Sequence, residues 1–482
     1  MRRMSNFYRV IAAAGLILLV ALAALPFFSD INTFKPRVET AISEAVGMAV
    51  TVEGKLGIKF RPGLHLTLSD VHVRNRGSEF AFVEHADLAI ELLPLIQQQI
   101  RYGFIATQGV HINILRGRDG KYNYERAEAS RQTFHSLALP KIAFSNLLVS
   151  YADLQSGSGF EFKRCEGELT DMRHPGDAPL LKRLTLAGQF ACAEVGGKSP
   201  VATDLNFQIV ATDGVFDFKS VTMQAFGGQG TGTMRVDRSA EIPNYQINYT
   251  LSKFHIEQFF RTQSKRKSVS GLMNFSAKLS MQGRTRLAMR QSAKGDASLS
   301  GTNLTLNGVD LDQQLLKFES SQNLNLIDMS ALLLAGPLGL AATKSYELLS
   351  PGEKSAGQMF TPIRMIVSQW KVENGIAHAQ DVALATNKSR LALHGGLNFV
   401  SDEYQNVVVA LLDANGCAKA SQTINGLFSK PRTDKSIILV PVGVLANGFF
   451  SLVDKAKKLV SGASKSSNTC EVFYSGAVKP PA

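Results

Sequence analysis

Four cysteines and nine histidines are the side chains in this sequence best suited to hold a metal or carry redox chemistry. Their spacing supports neither. Cys165, Cys192, Cys417 and Cys470 never form C-x-x-C, so zinc ribbons and thioredoxin-type dithiols find no support. H-x-x-x-H and H-E-x-x-H are absent, so no metal is expected. His65, His85 and His111 fall on the polar faces of alternating segments, where a solvated ring is the ordinary explanation. G-x-S-x-G, the P-loop and the dinucleotide fingerprint are missing, and the glycines of "AFGGQGTGTMRV" lead into no helix that could cradle a phosphate. No catalytic residue and no cofactor are assigned. Carboxylates on neighbouring strands would leave no linear signature, so a hydrolase acting on glycan or lipid stays open. What remains for the cysteines is cross-linking. An even count in an oxidising compartment suggests disulfides. Three connectivities exist, and the arrangement of two mid-chain and two C-terminal cysteines favours Cys165–Cys192 with Cys417–Cys470.

The compartment is legible at the N-terminus. "VIAAAGLILLVALAALPFF", Val10 to Phe28, is nineteen residues without a charge and follows Arg2, Arg3 and Arg9. At ~1.5 Å per residue such a helix covers about 28 Å, close to the ~30 Å hydrocarbon core. That length favours a retained transmembrane helix. Ala21-Leu22-Ala23 could also serve as a signal-peptidase site, which leaves a cleaved signal as the second reading. Either way the arginines stay in the cytoplasm and the rest of the chain is exported. The formal net charge of +12 would elsewhere suggest nucleic acid, but export removes that partner. Anionic lipid head groups, or simply a solvated surface, are left to account for the basic excess.

Ile31, Phe34, Val38, Ile42 and Ala45 have helical spacing, with Asp30 as candidate N-cap and Gly47 as stop. From Val50 onward the period becomes 2, the signature of strands with one apolar face. Phe82, Ala86, Leu88, Ile90 and Leu92 share one face against His85, Asp87 and Glu91. The same alternation runs through Leu64 and Leu66; Val110, Ile112 and Ile114; Leu205, Phe207 and Ile209; and Tyr245, Ile247, Tyr249 and Leu251. It continues in Met273, Phe275, Ala277, Leu279 and Met281, in Leu304 and Leu306, and in Leu391 and Leu393. Asp119-Gly120, Asp213-Gly214, Asn307-Gly308, Asn374-Gly375 and Asn415-Gly416 punctuate these runs as tight turns, which predicts an antiparallel meander. "TKSYELLSPGEKSAGQMFTP" is expected to be loop or linker, and "RTQSKRKSVS", Arg261 to Ser270, a basic loop tip. Leu445, Phe449, Leu452, Val453, Ala456 and Val460 predict a C-terminal amphipathic helix. The expected organisation is a cytoplasmic tail at 1–9, an anchor at 10–28, an N-terminal β-region with its helix at 29–130, a longer meander at 131–400 and a C-terminal unit at 401–482.

A one-faced meander must bury its apolar side against a second sheet or against something that is not protein. Composition and periodicity alone favour a packed sandwich or solenoid core. A resemblance redirects that inference. A single N-terminal span, a helix ending at Gly47 before "VTVEG", "PGLHLTLSDVHVRN" from Pro62 to Asn75, "PLI" at Pro94 to Ile96 and "RGRDGKYNY" from Arg116 to Tyr124 resemble the N-terminal region of the AsmA family of Gram-negative envelope proteins. Tyr124 stands where that family usually has tryptophan. "LLLAGPLGLAATKSY", "NGIAHAQDVALATNKSRLALHGGLNF" and "INGLFSKPR" are similar to its C-terminal part, and about 130–320 matches in pattern only.

The resemblance implies a mainly β fold, an elongated twisted antiparallel sheet curled into a hydrophobic groove, as in bridge-like lipid transfer proteins. It also implies phospholipid movement between inner and outer membranes and support of outer-membrane integrity, without catalysis. Leu64, Leu66, Leu88, Ile90, Val110, Ile112, Ile114, Leu205, Phe207, Ile209, Tyr245, Ile247, Tyr249, Phe275, Leu279, Leu304, Leu306, Leu391 and Leu393 are then the groove-lining candidates. Membrane phospholipids and the inner membrane are the implied partners, with an unidentified periplasmic or outer-membrane protein beside them. A structural or assembly factor without lipid conduction is the competing class. About 25 strands at ~4.8 Å would make a groove on the order of 120 Å long.

Overall fold

A computed structural model describes residues 31–60, 63–90, 102–125, 137–175, 180–197, 200–263, 269–308, 310–315, 333, 359–433 and 470–481. The apolar run at 10–28, the C-terminal helix expected at 445–460 and most of the expected linker at 343–362 lie outside these residues. Strand already begins at Phe360, inside the stretch expected to be linker. No helix among the described residues is long and apolar enough to cross a membrane. The chain divides into two compact units, 1–214 and 215–482. Both are mainly β.

In the first unit a turn of 3-10 helix at Ile31–Phe34 leads into α1 (Lys35–Val46), which ends on Gly47 in the left-handed region, its N–H donating to Ser43 O. The strands are β1 (Ala49–Val52), β2 (Leu56–Phe60), β3 (Leu64–Asn75), β4 (Ser78–Ile90), β5 (Tyr102–Arg116), β6 (Leu137–Asp153), β7 (Ser158–His174), β8 (Thr185–Gly196) and β9 (Pro200–Thr212), with a short helix α2 (Leu180–Arg183) before β8. Strands β1 and β2 both pair with β3, and each later strand pairs with the one before it. One pairing departs from the expected meander: β5 and β6 run parallel. A parallel pair needs a return crossover, and residues 117–136 are long enough to supply it.

The open edge of this sheet is closed by side chains. Val50 N donates to Ser43 Oγ at 2.9 Å, Val52 N to Glu39 Oε1 at 2.7 Å and Leu56 N to Asn32 Oδ1 at 3.1 Å. The helical segment thereby satisfies edge donors that would otherwise template another strand. It also seals one end of the apolar face: Val38 and Ile42 pack on a core of Val50, Val52, Leu56, Leu68 and Val71.

The second unit contains β10 (Val215–Ala225), β11 (Gly228–Asp237), β12 (Asn244–His255), α3 (Ile256–Gln263), β13 (Val269–Ser270), β14 (Leu272–Gln282) and β15 (Lys294–Asn307). Then follow β16 (Phe360–Glu373), β17 (Ile376–Thr386), β18 (Arg390–Asn398), β19 (Glu403–Leu412), β20 (Ala418–Leu427) and β21 (Lys430–Thr433). All described pairings within this unit are antiparallel. The basic run at 261–270 is split between the end of α3 and β13, and its middle lies outside the described residues.

Strict period-2 counting fails at one recurring device. Asp70, Gly109, Asn146, Arg164 and Asp204 in the first unit, and Ser220, Lys253, Asn303 and Asn406 in the second, stand at positive φ between 47° and 63° inside strands. The ladder breaks there: both strands skip one residue, with register kept, between Ser69↔His85 and Val71↔Val83, and the register shifts by one between Leu251↔Phe275 and Phe254↔Met273. Each break resets which parity faces the core. Phe82 is the casualty of counting. Its ring lies on the polar face, with centroids 4.9 Å from His72 and 5.7 Å from His111, while Val83 joins Ala86 and Leu88 against the α1 core.

Candidate functional site

Register, rather than any cluster of reactive groups, defines the candidate site. In the first unit Phe144, Gly167, Phe190 and Phe207 stand in one row across β6 to β9. Gly167 leaves the space that lets the Phe144 and Phe190 rings meet at 5.1 Å, and Phe190 stacks on Phe207 at 4.9 Å. Adjacent rows are Leu147, Cys165, Cys192 and Leu205, and Ile142, Leu169, Gly188 and Ile209. Ile112, Ile114, Phe144, Phe190, Phe207 and Ile209 are only half-buried, whereas Val110 and Leu205 are buried.

In the second unit the row Phe218, Met234, Ile247, Leu279, Gly295 and Val372 crosses six strands. An open trough of about 800 Å³ crosses the same strands, but it is flanked by the polar-face side chains Asp217, Lys219, Arg235, Lys278, Lys294 and Asp296 and so is not a pocket of the apolar face. Tyr245, Tyr249 and Phe275 occupy the neighbouring rows and are half-buried as well.

Not every candidate lies on these half-open strips. Leu64, Leu66 and Leu88 face the same side as the strip but stand at the end sealed by α1, Leu66 and Leu88 packing on its core. Ile90 pairs with Leu64, and its side chain lies outside the described positions. Leu304, Leu306, Leu391 and Leu393 are no more than 3% exposed and belong to filled core. The turn at 311–315 contributes to that filling: Leu311 and Leu315 are each 1% exposed, Leu311 N donates to Thr361 Oγ1, and Thr386 Oγ1 donates to Asp312. Trp370 Nε1 donates to Ser368 Oγ at 2.7 Å, which satisfies the indole where it is buried.

The other side of β16 to β19 is covered too. The C-terminal segment, residues 470–481, inserts Tyr474 and Val478 against Val367, Ala383, Ala385, Ala392 and Ala410. Arg390 Nη1 donates to Val478 O, and Arg364 Nη2 donates to Lys479 O and Pro480 O. The Tyr474 hydroxyl donates to Asp381 and accepts from Val478 N. Sequence alternation missed this strap because Tyr474 and Val478 lie outside any periodic run.

The polar faces are laced with charge pairs: His65 with Asp87, Lys141 with Glu168, Arg164 with Glu194, and Arg235 with Asp217. Such exposed pairs add little to stability, because solvent screens them. Their effect on acidity is opposite to what a general acid needs. Hydrogen bonding from Arg164 holds Glu194 below the usual carboxylate range, and the backbone N–H of Gln155 does the same for Asp153. Among the described residues, Asp413, Cys417 and Cys470 cluster as metal ligands would, but both thiols are spent in a disulfide.

Both disulfides join the expected local pairs. Cys165 and Cys192 stand directly opposite each other, Cα to Cα 4.0 Å, and form a buried row within the first unit's apolar face. Cys417–Cys470 anchors the C-terminal strap. The double substitution Cys165→Ser, Cys192→Ser is expected to destabilise the first unit by roughly 3.5 kcal/mol, from closure of a 27-residue loop. Denaturant unfolding followed by a probe in that unit measures it, and an unchanged midpoint would refute the expectation.

The motif around Arg116 is explained by folding rather than chemistry. Asn123 Nδ2 donates to Asn113 O and its Oδ1 accepts from Leu115 N, so the side chain mimics a pairing strand at the end of β5. Arg116 Nη1 reaches the buried Asp153 at 3.3 Å.

Fold and site together define a mainly β protein whose extended feature is an apolar sheet face, open over part of each unit. The model of the AsmA family matches residues 1–191 and 195–382, and the chain belongs to that family. No curated protein matches it.

Proposed function

We propose that this chain is an inner-membrane-anchored, periplasmic protein that shields phospholipid acyl chains on its half-open apolar strips. In doing so it supports lipid movement between the inner and outer membranes. The observation that carries this is the in-register apolar rows on β5 to β9 and on β10 to β14, whose side chains stay half-buried apart from Val110 and the buried row through Cys165 and Cys192. Apolar area of that extent calls for a cover. Acyl chains provide one through the hydrophobic effect, with no bond made or broken and no cofactor. Family membership and two disulfides fit an oxidising envelope compartment. The run at 10–28 supplies the anchor, and the basic excess of the chain suits anionic head groups.

A specific observation favours a second reading for part of the molecule. Leu304, Leu306, Leu391 and Leu393 are sealed by protein, so that region serves as scaffold and fits an assembly factor. Organic extraction of the full chain, purified in mild detergent and then washed free of loosely held lipid, separates the two. Near-stoichiometric phospholipid is expected. A lipid-free protein that still complements a deletion strain would favour the assembly factor.

A further inference from the structure

Tyr249 brings a hydroxyl to the apolar face of β12. Its neighbours in register are Gly232 and Ala277, and its ring lies across Gly232 and Gly230, where an added Cβ would collide with it. Gly230 and Gly232 thus seat a flat phenol on a mostly apolar face that carries one other phenol, Tyr245. Phe275 closes one side at 6.2 Å between centroids. Ile247, two residues away, stands in the neighbouring half-buried row between Met234 and Leu279. The Tyr249 hydroxyl makes no hydrogen bond among the described residues, yet it is not fully occluded. Burial alone pushes its ionisation upward, so it is a neutral donor at physiological pH.

A bare hydrocarbon laid over this phenol would strip its water and return no hydrogen bond, a penalty that falls on the wrong ligand. An amphiphile that brings an ester carbonyl or a phosphate oxygen to the same place satisfies it. We infer that Tyr249 is a specificity-determining residue that recognises the ester or phosphate oxygen of an acyl lipid and so discriminates against oxygen-free hydrocarbon. The inference rests on the proposed acyl-chain strip, and it adds where along the second unit the polar end of the ligand sits.

The test uses the full chain kept soluble in an amphipathic polymer and titrated with two fluorescent probes. One is a phospholipid bearing a conjugated polyene acyl chain, and the other is diphenylhexatriene, which has no oxygen. Tyr249→Phe removes one oxygen atom and leaves the packing on the glycines in place. The native protein is expected to prefer the phospholipid, and Tyr249→Phe to reduce that preference about tenfold, as the loss of one well-made hydrogen bond predicts. The control Tyr245→Phe tests the neighbouring phenol and is expected to shift the preference less. An unchanged preference in Tyr249→Phe, with both probes still bound, overturns the role of Tyr249 and leaves the strip intact. Failure of the native chain to bind either probe overturns the strip itself, and this inference with it.

Discussion

Ile247→Glu is expected to abolish complementation of a deletion phenotype while the protein accumulates at near-normal abundance. Ile247 stands between Met234 and Leu279 on the apolar face and is half-buried, so a carboxylate there reaches water in the unloaded protein. Folding is then little affected. Once acyl chains cover the strip, the same charge is left uncompensated in hydrocarbon, at a cost large enough to exclude them. Asn248→Glu, one residue along, points to the exposed face and should be tolerated. Ile209→Glu against Gln208→Glu repeats the comparison in the first unit. Asn113→Glu is a poorer control for Ile112→Glu, because the Asn113 side chain accepts a hydrogen bond from Ser150. Leu391→Glu calibrates the readout. Leu391 is fully buried, so its substitution leaves an unpaired charge in filled core and should unfold the unit at a cost of several kcal/mol. Immunoblot abundance and complementation measured together decide. Loss of abundance in Ile247→Glu matching that in Leu391→Glu would mean that the strip, too, is packed core.

Tyr474→Ala is expected to detach the C-terminal strap and to destabilise the second unit by about 3 to 5 kcal/mol, the range for emptying a buried aromatic site. The ring is 6% exposed and packs on Ala383, Ala385, Ala392 and Ala410, and its hydroxyl bridges Asp381 and Val478. Tyr474→Phe should cost less, about 1 to 3 kcal/mol, because it removes only the bridge. The same hydroxyl makes the strap sensitive to alkali. Burial, and then the bond to Asp381, raise its ionisation well above the ordinary tyrosine value. A folded-state value above the unfolded one of ~10 means that the contribution is complete below about pH 10 and is lost as pH climbs toward the folded value. Hydrogen exchange of residues 470–481, followed by mass spectrometry across alkaline pH, reads this directly. Protection that stays constant through that range in the native chain, or that survives Tyr474→Ala, would refute the role of the strap.

Much of this was legible without coordinates because the causes are local. Alternation in Tyr245, Ile247, Tyr249 and Leu251 places those residues on one face, and Asn374-Gly375 forms the tight turn its residues favour, with φ of 51° and 76°. Gly47 ends α1 where a left-handed residue is needed. The local cysteine pairing is the one present.

Other features had no such signature. Apart from Gly109, the bulge positions carry Asp, Asn, Arg, Ser and Lys, residue types common anywhere in a polar face, so at those positions nothing in the letters marks where parity resets. Arg76-Gly77 and Phe226-Gly227 make turns of the same positive-φ kind as Asn374-Gly375 without the asparagine that announces one. The parallel pairing of β5 and β6 depends on the path of a crossover, not on either strand.

One-faced strands, local cysteine pairs and the family resemblance can all be read from the order of the residues. Which parts of the apolar face stay open is set by long-range packing. Leu205, Phe207 and Ile209 read like Leu391 and Leu393, yet Phe207 and Ile209 are half-buried while Leu391 and Leu393 are closed in. Alternation reports which way a side chain points. Whether it meets solvent depends on elements that arrive from elsewhere in the chain, as α1 does over β1 to β4 and the turn at 311–315 does at β16 and β17.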